Sequence, residues 1–108
     1  MNANYKACLE AGFNCLEACN ICFHACLKEE HPEKLTKSIE LTRECADFCS
    51  LAIAAMQRSS IFVKDICGVC ANICELCGNE CKKHDHEHCQ KCAEICFQCA
   101  EECRKLSA

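Results

Sequence analysis

The sequence predicts an all-α protein, an antiparallel up-down-up-down four-helix bundle with a thiol-lined core. Three observations carry that prediction. The 17 cysteines of the 108-residue chain recur mostly in steps of three, four and seven, which puts them on one stripe of a helix turning about 100° per residue. A strand would show period two. The stretches between cysteine groups are short and polar, and one proline and three glycines leave too little turn chemistry for a many-stranded fold. The length fits a single domain over 1–108.

The elements follow in order. Cys8, Cys15, Cys19, Cys22 and Cys26 mark a first helix over 3–28. Glu29–Glu30–His31–Pro32–Glu33 ends it, with Pro32 suited to a first helical position and Glu33 to the next helix dipole. The second helix is expected over 33–57, where Ser38, Thr42, Ala52 and Met56 extend the stripe of Cys45 and Cys49. Arg58–Ser59–Ser60 follows and offers a serine N-cap to a third helix over 60–83. Cys67, Cys70, Cys74, Cys77 and Cys81 line that helix. Lysines 82 and 83 suit its C-terminus, and Asp85 suits the next N-cap. Cys89, Cys92, Cys96, Cys99 and Cys103 repeat the alternation on a fourth helix over 86–105. Short connections make sequential helices antiparallel.

Folding the hairpins about Pro32, the Ser59–Ser60 bond and Asp85 stacks the stripes into levels. Cys26, Ser38, Cys81 and Cys89 share the first, followed by Cys22, Thr42, Cys77 and Cys92. Two all-thiol levels come next, Cys19/Cys45/Cys74/Cys96 and Cys15/Cys49/Cys70/Cys99. Gly12/Ala52/Cys67/Cys103 and Cys8/Met56/Val63/Leu106 complete the column. One end is closed by Met56, Val63 and Leu106, and Met56 is either a plug or a ligand. The other end opens beside the histidine-bearing loop. Ile39, Ile53, Ile66, Ile73, Leu76, Ile95 and Phe97 flank the stripes and are expected to seal the helix seams. Phe13, Phe23 and Phe48 either complete that packing or cover an inter-subunit patch.

A bundle axis normally takes Leu or Ile volume, and thiols alone are expected to underpack it. A stack of thiols selects a soft metal: Cu(I), zinc or an iron–sulfur cluster. Zinc wants isolated, closed sites of four ligands, which only the two all-thiol levels mimic. The loop spacing of iron–sulfur motifs is absent. Cu(I) takes two or three thiolates, and thiolates bridge, so a continuous column suits a store of many Cu(I) ions. Cys-x-x-Cys pairs such as Cys19–Cys22 and Cys96–Cys99 also suggest dithiol redox chemistry, but a redox enzyme needs an exposed thiol at a helix N-terminus. No enzyme activity is expected. A zinc or multi-metal sequestering protein, or a metal-sensing helical interaction module, is the alternative.

The net charge of −4 gives no basic footprint for nucleic acid. No run of about 18–20 apolar residues spans a membrane, and the N-terminus lacks a signal peptide. The chain is therefore expected in the cytoplasm, where thiols stay reduced. Seventeen is odd, so complete intramolecular disulfide pairing is impossible.

The cysteine-lined stripes, the CxxC/CxxxC alternation and the histidines of the last loop resemble the bacterial copper storage proteins, over essentially the whole chain. The missing export signal is similar to the cytosolic branch of that family. The resemblance implies many Cu(I) ions on core thiolates in a homo-oligomer, a tetramer. It extends to a copper chaperone or a copper-requiring enzyme as partner. Ser38, Thr42 and Ala52 depart from a uniform cysteine lining and imply fewer or differently bridged ions at their levels. His84 and His88, at the stripe edges, and His86 and His31, in the loops, are candidate entry residues for copper. His24 points away from the stripe and is expected at the surface.

Overall fold

The computed structural model describes residues 3–108. It is a four-helix bundle: α1 (Lys6–Leu27), α2 (Thr36–Gln57), α3 (Val63–Cys81) and α4 (Glu87–Ser107), with short 3-10 turns at Ala3–Tyr5 and Pro32–Leu35. Each helix packs on its sequence neighbours, and α1 closes the ring against α4. The bundle measures 44 × 18 × 18 Å. Its narrow waist follows from its seams, where Ala18, Ala46, Ala55, Ala71, Ala93 and Ala100 are buried beside the thiols. Interaxial distance tracks the side chains at the contact, and small ones let helices approach. Ile39, Ile66, Ile73, Ile95 and Phe97 pack against the core from its edges and Ile53 is buried, as expected for seam residues. Leu76 differs: it stands 59% exposed.

Gly78 shows how tightly α3 and α4 meet. A Cβ there would lie 2.7 Å from the Phe97 ring, so only glycine lets that ring lie across α3. Lys82 Nζ covers the ring at 5.7 Å. Arg104 on α4 adds an exposed clamp, with Nε 2.8 Å from Glu75 Oε1 and an Nη2 donating to Asn72 at 3.1 Å.

The helix starts differ from the sequence reading. Pro32 opens a 3-10 turn, and α2 begins only at Thr36. The serine expected to cap α3 instead shapes the turn before it: Phe62 N–H donates to Ser60 Oγ at 3.1 Å, Ser59 adopts φ 51°, and Phe62 precedes the helix with no side-chain cap. Asp85 does not cap α4 either; His86 holds that position, in extended conformation. Backbone bonds, Cys89 N–H and Gln90 N–H to His86 carbonyl, start the helix without it.

The register of α1 also differs. Pairs between α2 and α3 fall on the expected levels, with Cys45–Cys74 at 3.6 Å and Cys49–Cys70 at 3.9 Å. The α1 sulfurs sit between levels. Cys19 touches both Cys96 at 3.7 Å and Cys92 at 3.9 Å, and Cys15 reaches Cys45 at 3.6 Å. Cys8 meets Cys103 at 3.6 Å rather than sharing the level of Met56 and Leu106. Helix α1 is thus displaced about half a turn toward the mouth. The 3-10 turn contributes, because its larger rise per residue, about 2.0 Å against 1.5 Å, carries α2 deeper past α1.

Candidate metal centre

All 17 cysteines are free and buried. Many of their sulfurs lie within van der Waals contact, as in Cys8–Cys103 and Cys45–Cys74, both at 3.6 Å. Four-sulfur groups run along it: Cys15/Cys49/Cys74/Cys99, Cys15/Cys19/Cys45/Cys96 and Cys19/Cys77/Cys92/Cys96, each with ligand atoms within 4.8 Å of one another. Cys8, Cys67 and Cys103 form a trio at the far end, near buried Met56 and Val63. The groups share members. Cys15 lies 3.9 Å from Cys19, 3.6 Å from Cys45, 4.0 Å from Cys74 and 3.8 Å from Cys96. A tetrahedron of metal–sulfur bonds of about 2.3 Å has edges of about 3.8 Å. The spacing therefore suits a thiolate-bound metal, and the shared corners suit bridging sulfurs.

The thiols hold their protons by position. Contact with Cys15, added to burial, pushes Cys19, Cys49, Cys74 and Cys96 up. Contacts with Cys19 first, then Cys45, Cys49 and Cys74, pull Cys15 down. Burial, with the Cys89 charge, raises Cys26 to about 12. Cys8 also reaches about 12, because the Cys67 contact and burial outweigh the lowering by Cys103. Cys103 and Cys8 bring Cys67 down to about 4. Cys89 falls to about 6, through the Cys22 contact first, against burial, with help from His88 and His84. Its place in the first turn of α4 favours the thiolate in the same direction.

These shifts set a pH profile for the reduced, metal-free fold. A thiol lowered by folding stabilises it above the ordinary thiol value of 9.0, and that contribution is lost as pH falls through the folded pKa. A raised thiol stabilises it below 9.0, and the contribution is lost as pH climbs to about 12. Stability to urea is therefore expected to peak near pH 9 and decline on both sides. A profile that stays level from pH 9 to 12 would contradict these assignments.

At the mouth, Glu29, His31, Lys34, His84, Asp85 and His86 line part of a hollow of about 470 Å³. The four histidines placed there from the sequence do different things. His88 reaches the thiols: its Nδ1 is 3.3 Å from Cys22, 3.6 Å from Cys89 and 4.0 Å from Cys26. His86 stacks on it, centroids 5.4 Å apart. His84 Nε2 lies 3.2 Å from Glu80. His31 Nδ1 lies 3.2 Å from Glu33, with its side chain 55% exposed. His24 is exposed. The sequence reading missed Glu29, whose Oε2 sits 2.8 Å from His88 Nε2. It stands in an acidic loop pair, and no spacing rule links it to α4. Ser38 Oγ is buried without a hydrogen-bond partner, while the Thr42 hydroxyl donates to the Ser38 carbonyl at 2.7 Å.

A family model described as copper storage protein matches residues 1–108. The chain belongs to the copper storage protein family. Its likeness to solved members of that family covers both sequence and fold. It is 56% identical to the apo form of copper storage protein 3 from Bacillus subtilis, covering 96% of this chain and 99% of that one, with a TM-score of 0.90. Against the Cu(I)-bound copper storage protein BsCsp3 the identity is 55%, covering 97% and 99%, with a TM-score of 0.94. A cytosolic copper storage protein from Streptomyces lividans, loaded with five coppers, is 35% identical over 96% and 92%, with a TM-score of 0.92. The all-α bundle with its cysteine core is the architecture this family member shares with them. Among the described residues no helix is long and apolar enough to cross a membrane.

Proposed function

We propose that this copper storage family member is a cytosolic store and buffer of Cu(I), without catalysis, and that all 17 core cysteines are its ligands. The single observation that carries this reading is the sharing of sulfurs between four-membered groups at Cys15, Cys19 and Cys96. Isolated sites do not share corners; a cluster of bridging thiolates does. Charge points the same way. No basic side chain is buried among the described residues. One Cu(I) per thiolate leaves the core neutral, whereas a zinc tetrathiolate would leave two uncompensated charges in a low dielectric. The relatives solved with Cu(I) and with five coppers support copper as cargo.

His88, with His84, His86 and His31 around the hollow, forms the entry for copper. The apolar hollow of Phe48, Leu51, Phe62, Ile66 and Val69 on the α2–α3 face supports assembly into a homo-oligomer, a tetramer. A copper chaperone or copper-requiring enzyme exchanges ions at the mouth. The reading is tested by anaerobic Cu(I) titration of the reduced protein against a competing chelator, with metal analysis after desalting. Retention of about one ion per thiolate is expected. Saturation at one to four ions would replace the store with discrete zinc-like or regulatory sites.

A further inference from the structure

We infer that Glu29 is a positioning residue that fixes His88 in the tautomer able to bind Cu(I) beside Cys22, Cys26 and Cys89. The inference rests on the storage reading and assigns a role to a carboxylate outside the thiol column. Glu29 follows the end of α1, where its backbone N–H donates to the Cys26 carbonyl at 3.3 Å. From there the side chain crosses the mouth to the first turn of α4. Its Oε2 lies 2.8 Å from His88 Nε2 and 3.5 Å from His86 Nδ1.

The chemistry follows from donor and acceptor rules. An ionised carboxylate only accepts hydrogen bonds, so at 2.8 Å the neutral imidazole carries its proton on Nε2. The lone pair is then on Nδ1, the atom that faces the three sulfurs at 3.3, 3.6 and 4.0 Å. In the copper-free protein, whenever the ring is neutral, that lone pair accepts from the Cys22 thiol, the nearest of the three. With Cu(I) present it is the nitrogen ligand of an otherwise sulfur site. The parallel stack of His86 on His88, 7° between planes, restricts ring rotation from the solvent side. The side chains of His88 and Glu29 are only 18% and 30% exposed, so water competes weakly for their bond.

The test uses the reduced full-length protein with ¹⁵N-labelled histidine, comparing wild type with Glu29→Ala and Glu29→Gln. Without copper, and at a pH of about 8 where a free imidazole is neutral, wild type should show His88 Nε2 protonated and Nδ1 bare. Glu29→Ala should shift both resonances toward a tautomer mixture. Glu29→Gln, whose amide oxygen accepts the same bond, should restore the wild-type pattern. Cu(I) is then buffered with a competing chelator and the His88 Nδ1 resonance followed. The free Cu(I) at which it moves should rise about 10- to 100-fold in Glu29→Ala, with unchanged helicity. If either the copper-free shifts or that midpoint stays at its wild-type value in Glu29→Ala, Glu29 does not position His88. The copper-free readout is independent of capacity, so a failure of the storage reading in the wild-type titration is seen separately.

Discussion

Replacing Cys15 and Cys96 together by alanine is expected to remove about four Cu(I) ions, not two. Between them the two sulfurs supply a corner to each of three four-sulfur groups, Cys15/Cys49/Cys74/Cys99, Cys15/Cys19/Cys45/Cys96 and Cys19/Cys77/Cys92/Cys96. A sulfur that bridges serves more than one ion, so its loss releases each ion that depended on it. Alanine is the right replacement. A serine hydroxyl in that core would lack an acceptor of adequate strength, as Ser38 already does, and an unsatisfied buried hydroxyl costs about 1–3 kcal/mol. Each Cys→Ala leaves a small cavity at about 1–2 kcal/mol, which keeps the double variant folded enough to load. Metal analysis after anaerobic desalting gives the count. A loss of two ions, with the remainder retained, would mean that the sulfurs are not shared and each ion has its own ligands.

Copper loading is expected to raise the melting temperature by more than about 20 °C. Each independent site filled at a thousandfold excess over its Kd adds about 4 kcal/mol, and a domain of this size gains roughly 4–8 °C per kcal/mol. The unfolded chain also offers thiols to copper, which reduces the gain. It does not offer them at the 3.6–4.0 Å spacings of the core, so the folded state keeps the advantage. Loading also replaces the thiol protons, and the loaded protein should lose the decline in stability between pH 9 and 12. Equal melting temperatures with and without copper, measured by circular dichroism, would show that binding is not coupled to this fold.

The helix stripes were legible because cysteine here is both the core residue and the ligand. Steps of three and four mark the buried face directly, and every cysteine so marked is buried. The α2–α3 register was legible too, since the turn between Arg58 and Phe62 is short and symmetric about its serines. The α1 register was not. A 3-10 turn over Pro32–Leu35 changes the rise per residue, and nothing in the residue types distinguishes it from the first turn of an α-helix. The caps failed for a related reason. Ser60 and Asp85 are good capping residues by type, but the chain spends two further residues in turns before α3 and one before α4, and backbone bonds supply what a side chain would have. His88 was visible as a stripe-edge histidine. Glu29 became visible only when the end of α1 and the start of α4 met across the mouth, a juxtaposition set by tertiary packing alone.

Finally, the two ends of the column differ. The far end is shut by Met56 and Val63, 1% and 5% exposed, beside the Cys8–Cys67–Cys103 trio. A vessel with a single neck is drawn down in order: last in, first out. On the storage reading proposed above, copper on Cys22, Cys26 and Cys89 is expected to exchange first, and copper on the trio only after the ions above it have gone. Turnover measured on a partly filled protein would therefore describe the neck, and the residence time of the deepest ions would lengthen with every ion stacked over them.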